Sequence, residues 1–425
     1  MYRSSILVLV ISCCFLACNT PETVTDDTIV DELAKARIDS TLKGLVDADS
    51  IAGVSALIFE KGEEVYFNAY GFADRESNLP MDRNTIVRIY SMTKPITGVA
   101  LMTLYEQGAF QLDDPLALYA PEFDSMQVYK SEDAQGNMIL EPVRRPITIR
   151  DITRHTAGFV TGAPDTATAF GKLVMETNPG NRENTLAEMA TKLGSLPLMF
   201  HPGDQWAYGP SVDVQAFLVE RISGVPYAQY LEEHVLGPLQ LTETRYFLPE
   251  DDRGRFAALY RKDEDRNLQR IPDEDANSFN TKRWPLTPGG YGLTSTLDDY
   301  MRFARMLVQK GTFEDVTILQ PETVELMATN HLSDTISQRM WLPSKGQVGF
   351  GIDFAVRTKP PASVEENNGV VGEFFWDGAA STLFWVDPVN ELTAVLFVQI
   401  FPFDGSLHKK FRDAVYGPVV LGAGE

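Results

Sequence analysis

The chain has 425 residues, 44% hydrophobic and 10% aromatic, and is long enough to bury a large core. Its 37 basic and 59 acidic residues give a formal net charge of −22, and such a field repels nucleic acids and anionic lipid headgroups. All three cysteines lie in the first 18 residues, and the five histidines show no H-x-x-x-H spacing. These counts exclude disulfides and thiolate chemistry in the folded body, and we expect no metal and no cofactor.

The first residues have the pattern of an export signal. A short basic start precedes the apolar run Ile6–Ile11, which is too short to form a stable membrane anchor. The segment Phe15-Leu16-Ala17-Cys18 resembles a bacterial lipoprotein box. It predicts a signal peptide over 1–17 and lipidation of Cys18, with Cys13 as a second candidate. The alternative is a plain secretory signal or a membrane anchor.

A flexible tether is predicted over 18–31, because this stretch is rich in Thr, Asp and Glu. The folded domain is then expected over 32–418. The leader and tether together predict an exported protein, anchored by lipid to a bacterial membrane and facing the periplasm or the cell surface.

Strand patterns stand at both ends of the domain and helical patterns lie between them. A hairpin is predicted over 53–71. Strands return over 348–356, 372–375, 382–386 and 392–400 before a terminal helix. The region from about 115 to 285 is mostly helical in pattern, apart from a hairpin over 126–146. This order predicts a mixed α+β fold, in which the N- and C-terminal segments build one antiparallel sheet flanked by helices, with a largely helical region inserted.

A candidate nucleophile follows the first hairpin, in Ser91-Met92-Thr93-Lys94. If a helix begins near Ser91, its hydroxyl and the Lys94 amine lie on one face, within reach of each other. A lysine partly removed from water can accept the proton of a serine. The four-residue pattern also occurs by chance, so it needs support from the rest of the chain. Such a centre needs a proton relay, for which Tyr208, in a loop just before a helix, is a candidate.

Six segments in a fixed order resemble those of the serine β-lactamases and penicillin-binding proteins. They span about residues 33–415 and read Ile89-Tyr90-Ser91-Met92-Thr93-Lys94-Pro95, Leu112-Asp113-Asp114-Pro115, Ile147 to Gly158, Val235-Leu236-Gly237-Pro238-Leu239, Gly289 to Thr296, and Trp376-Asp377-Gly378-Ala379-Ala380 with Phe384 to Pro388. The chain is most similar to the class C β-lactamase-related branch, which includes esterases of the family VIII carboxylesterase type and D-aminopeptidases.

The resemblance implies roles for individual residues. Ser91 would be the nucleophile, Lys94 its amine partner and Tyr208 the second proton carrier, with an acyl-enzyme intermediate. Backbone N–H groups of Ser91 and Ala379 would form the oxyanion hole. In this family the His155 segment is a structural turn, so we do not expect catalysis by that histidine.

Two departures from the penicillin-recognising members bear on the substrate. Pro210 stands where those members carry an asparagine that holds the substrate amide. Trp376 and Asp377 stand where they carry a cation for the substrate carboxylate. Neither side chain binds a carboxylate by charge, and Asp377 is expected to repel it. Trp376, Asp377 and Gly378 are predicted to line the substrate pocket. These departures favour a neutral ester with a short acyl chain over a β-lactam or an acidic peptide.

The sequence therefore predicts an exported serine hydrolase, with a carboxylesterase favoured. One alternative is a D-amino-acid peptidase, transpeptidase or β-lactamase acting on cell-wall peptides or β-lactams. An alternative of another class is a catalytically idle binding module with the same fold. The expected partners are a small ester or peptide-like substrate and a lipid anchor, without nucleic acid. The natural substrate and the oligomeric state stay open.

Overall fold

The computed structural model describes residues 28–162 and 165–421. The predicted signal peptide, Cys13, Cys18 and the tether up to residue 27 lie outside these ranges. Within them, no helix combines the length and the apolar character that crossing a bilayer requires.

Strands and helices both contribute to the fold. The strands are β1 Gly53–Glu60, β2 Glu63–Asp74, β3 Leu79–Pro80, β4 Val87–Arg88, β5 Gln127–Glu132, β6 Met138–Pro142, β7 Tyr260–Lys262, β8 Leu268–Arg270, β9 Thr294–Ser295, β10 Thr312–Phe313, β11 Val316–Thr317, β12 Val348–Phe350, β13 Ala355–Arg357, β14 Phe374–Asp377, β15 Leu383–Asp387, β16 Leu392–Phe397 and β17 Ile400–Phe401. The helices are α1 Glu32–Asp47, α2 Thr93–Glu106, α3 Ile149–Thr153, α4 Ala169–Thr177, α5 Leu186–Gly194, α6 Ser211–Ser223, α7 Tyr227–Leu231, α8 Asp273–Ala276, α9 Leu297–Val308, α10 Pro321–Met327 and α11 Gly405–Tyr416.

The main sheet joins the two ends of the chain, as predicted. Its order is β12-β13-β14-β15-β16-β1-β2-β3, so the C-terminal strands pair with the N-terminal hairpin through β16 and β1. In that antiparallel pair Leu57 lies opposite Val395. Every residue of β16 is buried, because helices cover both faces of the sheet at its centre. The mixed α+β fold with one antiparallel sheet is confirmed.

Two of the predicted C-terminal strands are divided in the structure. The apolar pattern over 348–356 is interrupted between β12 and β13 by a turn in which Asp353 has a φ of +61°. The run from Leu392 ends at Phe397, and Ile400 then pairs with Tyr260 in a separate small sheet. Hydrophobicity alone does not mark these breaks, because the residues on both sides of them are buried.

The first described residues are held against the sheet. The carboxylate of Glu60 accepts hydrogen bonds from the backbone N–H groups of Ile29 and Val30, at 2.7 and 3.1 Å. Val30 is buried, and the side chain of Asp31 caps α1. The predicted tether over 18–31 therefore overlaps an anchored segment at its C-terminal end.

The inserted region packs around α2. Residues Thr93 to Leu104 of this helix are all buried, and α2 contacts both α6 and α7. The hairpin of β5 and β6 projects from this region, where the sequence predicted it. Since Ser91 and Lys94 lie at the start of α2, the candidate centre is located between the sheet and the helical region.

Candidate active site

Ser91 and Lys94 come together at the N-terminal end of α2. Ser91 lies in a single 3₁₀ turn, Tyr90–Met92, that leads directly into the helix. The Nζ atom of Lys94 lies 3.3 Å from the Oγ atom of Ser91 and 2.6 Å from the carbonyl oxygen of Gly290. Lys94 is only 4% exposed. The predicted Ser–Lys contact is therefore present in the structure.

Neighbouring segments fix the turn that carries Ser91. The backbone N–H of Leu293 donates to the hydroxyl of Thr93 at 3.3 Å, and the Tyr300 hydroxyl donates to the carbonyl of Met92 at 2.9 Å. Tyr90 has a φ of +45°, which a bulky residue adopts only where its surroundings enforce it. The turn is thus held in one conformation from the 290–293 segment and from α9.

Tyr208 covers the amine of Lys94. The Nζ atom lies 4.5 Å from the centroid of the Tyr208 ring, and the indole N–H of Trp376 donates to the Tyr208 hydroxyl at 3.3 Å. The three predicted catalytic residues and Trp376 therefore meet at one place, although they come from three separate parts of the chain.

The end of β14 lies beside the same turn. A Cβ atom on Gly378 would stand 2.6 Å from the carbonyl oxygen of Ile89, so glycine is required for this close approach. Ala379 directly follows this glycine in the chain, as Ser91 follows Ile89 and Tyr90. The oxyanion roles of these two N–H groups stay a prediction.

Buried titratable groups surround the amine. Burial raises the pKa of Asp213, against the opposing effects of Lys94 and of the N–H of Gly290, which donates to Asp213 at 2.8 Å. Burial also raises the pKa of Asp353 well above its usual range. The pKa of His155 is lowered well below its ordinary value, by burial and then by the charge of Lys94. A histidine with so low a pKa is a weak base, which leaves Lys94 as the amine beside Ser91.

His155 packs behind Tyr208. Its ring lies 4.8 Å from the Tyr208 ring and also contacts Trp206 and Phe350. Within the described ranges neither of its ring nitrogens has a hydrogen-bond partner. This packing agrees with a structural part for the His155 segment.

Comparison with known proteins decides the family. Residues 38–416 match the protein-family model described as Beta-lactamase. The chain belongs to the beta-lactamase family. It is accordingly a serine hydrolase with the mixed α/β fold of the β-lactamases and transpeptidases.

Several relatives extend over most of the chain. Protein Rv1367c of Mycobacterium tuberculosis is 34% identical over 374 residues, which are 85% of this chain and 89% of the relative. Esterase EstB of Burkholderia gladioli is 27% identical over 403 residues, or 90% and 95% of the two chains. The solved structure of EstCE1, a hydrolase with promiscuous acyltransferase activity, is 26% identical, with a TM-score of 0.76 and coverage of 92% and 100%. The beta-lactamase-related region is thus nearly the whole chain.

Asp377 stands where penicillin-recognising members carry a cation, and it has a partner that no sequence motif indicated. Its carboxylate is paired with the ammonium of Lys345, and both side chains are buried, at 7% and 6% exposure. The Nδ1 atom of His408 lies 3.8 Å from the same carboxylate. The expectation that Asp377 repels a substrate carboxylate therefore loses its basis, because its charge is balanced by Lys345.

Aromatic and sulfur-containing side chains form one wall of this beta-lactamase-family site. Trp341 lies 5.1 Å from the Tyr208 ring, and the Met340 sulfur accepts a hydrogen bond from the backbone N–H of Tyr208 at 3.1 Å. Both residues are partly exposed, whereas Trp376 is fully buried. The exposed wall beside Tyr208 is therefore Met340 and Trp341. No motif marks these residues, and only their contact with Tyr208 identifies them.

Proposed function

We propose that this member of the beta-lactamase family is a carboxylesterase with a Ser–Lys–Tyr centre. The observation that carries the proposal is the contact of Lys94 with both Ser91, at 3.3 Å, and the ring of Tyr208, at 4.5 Å. The apolar wall of Met340 and Trp341 suits the hydrocarbon part of an ester. Esterase EstB and the lovastatin esterase of Penicillium rubens are relatives with this named activity.

The geometry supports a two-step reaction. The Oγ atom of Ser91 attacks the ester carbonyl carbon while its proton passes to the amine of Lys94. The carbon–oxygen bond to the alcohol then breaks, and the departing oxygen takes a proton by way of the Tyr208 hydroxyl. Water attacks the acyl-enzyme, its proton passes to the same groups, and the acid leaves as Ser91 regains its hydroxyl. The N–H groups of Ser91 and Ala379 would stabilise the oxyanion in both steps.

A comparison of substrates tests the proposal. We expect the purified protein to hydrolyse p-nitrophenyl butyrate and to turn over nitrocefin and a D-alanyl peptide at least tenfold more slowly, in line with the usual penalty for unpaired polar groups, about 1–3 kcal/mol. Ser91→Ala is the control for contaminating esterases. Good turnover of the peptide or of nitrocefin without ester turnover would overturn the esterase assignment in favour of the peptidase or β-lactamase alternative.

We also propose that the protein is exported and anchored through a lipid on Cys18. The support is the lipoprotein-like segment that ends at this residue, which precedes the anchored start of the fold at Ile29. In cells given labelled palmitate, we expect label on the wild type and on Cys13→Ser, and no label on Cys18→Ser. The opposite pattern, with label lost only in Cys13→Ser, would assign the anchor to Cys13.

A further inference from the structure

A small cavity borders the turn that carries Ser91. Its volume is about 270 Å³, and its lining includes Tyr90, Tyr291 and Leu293. Tyr90 directly precedes Ser91, and Tyr291 directly follows Gly290, whose carbonyl accepts the hydrogen bond from Lys94. Ser91 and Lys94 are not part of the lining, but the chain neighbours of Ser91 and Gly290 are, so the cavity borders the segments that carry the reacting groups.

Aromatic rings form much of the cavity wall. Tyr90 meets Phe401 edge to face at 5.3 Å, and Phe279 lies 5.5 Å from Tyr291. The rings leave a narrow space, slightly below the usual range of ligand pockets, about 300–1,000 Å³. This space suits a chain of a few carbon atoms rather than a large ring system.

Two arginine side chains also line the cavity, and within the described ranges neither is paired with a carboxylate. Arg88 is 3% exposed and donates to neutral oxygens, including the carbonyls of Ala257 and Ala276. Arg182 is partly exposed and donates to the hydroxyl of Ser278 at 3.0 Å. In the described part of the chain no Asp or Glu oxygen lies within 4.0 Å of either guanidinium, although the exposed Asp275 is also in the lining.

The positive charges act on the same surface of the cavity. The pKa of Tyr90 is raised by burial, and Arg88 and Arg182 both oppose that rise. The pKa of Tyr291 is likewise raised by burial and by Asp213, against Arg182. Two guanidinium groups in one cavity wall, neither in an ion pair with a described carboxylate, are a local exception in a chain with a net charge of −22. Such a wall attracts an anion from solution.

We propose that this cavity binds a carboxylate at the far end of the substrate's acyl chain, with Arg182 as its partner; the inference rests on the proposed esterase function. A guanidinium with free N–H groups matches a carboxylate in geometry and charge, and Arg182 is held in place by stacking on Phe279 and Trp284, at 5.2 and 5.6 Å. Arg88, already bonded to neutral oxygens, contributes its charge to the field. The preferred substrates are then half-esters of dicarboxylic acids rather than neutral esters.

A pair of matched substrates tests this inference. For the wild type, we expect kcat/KM to be higher for p-nitrophenyl hydrogen adipate than for its uncharged methyl ester. Arg182→Gln should lower kcat/KM for the acid by about tenfold or more, as expected for a lost charge-assisted hydrogen bond. For the methyl ester, kcat/KM should stay within about twofold of the wild-type value, because this substrate has no carboxylate for Arg182 to bind.

Lys282→Gln is the control for a general loss of positive charge. Lys282 stacks on Trp284 at 3.8 Å, close to Arg182, but does not line the cavity. We expect Lys282→Gln to have wild-type values of kcat/KM for both the acid and the methyl ester. Equal losses with acid and methyl ester in Arg182→Gln would give Arg182 a packing function and overturn the inference, as would a wild type that prefers the methyl ester.

The two proposals fail in different ways. If the wild type hydrolyses neither substrate, the esterase proposal is overturned. Calorimetry with monomethyl adipate then tests whether the cavity binds a carboxylate. The affinity must be weaker in Arg182→Gln than in the wild type, and unchanged in Lys282→Gln. Equal binding by all three proteins, or no binding to the wild type, overturns the inference.

Discussion

Lys94→Met is expected to lower kcat/KM for p-nitrophenyl butyrate by about 10²- to 10⁴-fold, the usual contribution of a positioned general base. Methionine keeps most of the buried volume of the lysine stem but removes the amine that lies 3.3 Å from the Ser91 hydroxyl. The loss should appear in the rate of acylation, measured by stopped-flow release of p-nitrophenol. Circular dichroism and thermal unfolding should show that the variant is folded.

Tyr208→Phe is the matched change on the other side of the amine. It keeps the ring over Lys94 and the contacts with Trp341 and Trp376, and removes only the hydroxyl that accepts from the Trp376 indole. We expect Tyr208→Phe to lower kcat/KM for p-nitrophenyl butyrate by a factor similar to that of Lys94→Met. A Lys94→Met protein that retains more than about a tenth of wild-type acylation would contradict the role of general base, because such catalysis contributes at least about 10²-fold.

Lys345→Met is expected to destabilise the protein by about 3–5 kcal/mol, since removal of one partner leaves a buried charge without compensation. The Asp377 carboxylate is only 7% exposed, and among the described residues its other ionisable partner is the His408 ring, at 3.8 Å. Burial lowers the pKa of His408 to about 4 in the wild type, against the opposing effect of Asp377, so this histidine is neutral at neutral pH and Lys345 supplies the charge that balances the carboxylate. Urea unfolding at neutral pH measures the difference.

The double variant Lys345→Met with Asp377→Leu is the control for this prediction. Because both charges are removed together, we expect it to recover most of the stability lost in the single variant. If the double variant were as unstable as Lys345→Met alone, packing of the lysine stem against Phe403, Trp341 and Trp376 would explain the loss instead of the unpaired charge.

The fold was predictable where periodicity and turn chemistry act within one segment. The hairpin of β1 and β2 and the hairpin of β5 and β6 both appear at the predicted places, because alternating strands and polar turns are local signals. The helix α9, which packs on β16, was not predicted, although its apolar face is regular. The turn at Asp353 was also missed, since a positive φ in a buried acid has no local sequence signal.

In the candidate site, too, local motifs were predictable and long-range contacts were not. Ser91, Lys94 and Tyr208 stand in short motifs, so a resemblance to a known family was enough to select them. Lys345 and Arg182 stand in no motif, and each matters through a contact with a distant segment. Without knowledge of Lys345, the acid at Asp377 favoured neutral esters over acidic peptides, whereas in the structure Lys345 balances that acid. Arg88 and Arg182, which have no carboxylate partner among the described residues, line the cavity that Tyr90 borders.

Covalent labelling of Ser91 by a phosphonylating reagent is the most direct test that this residue is the nucleophile. The mature protein is treated with a fluorophosphonate, digested, and examined by mass spectrometry for the modified peptide. We expect one modified residue, Ser91, together with a parallel loss of ester turnover, and no modification in Ser91→Ala. A fully active protein without label on Ser91, or a label on another serine that abolishes turnover, would contradict it.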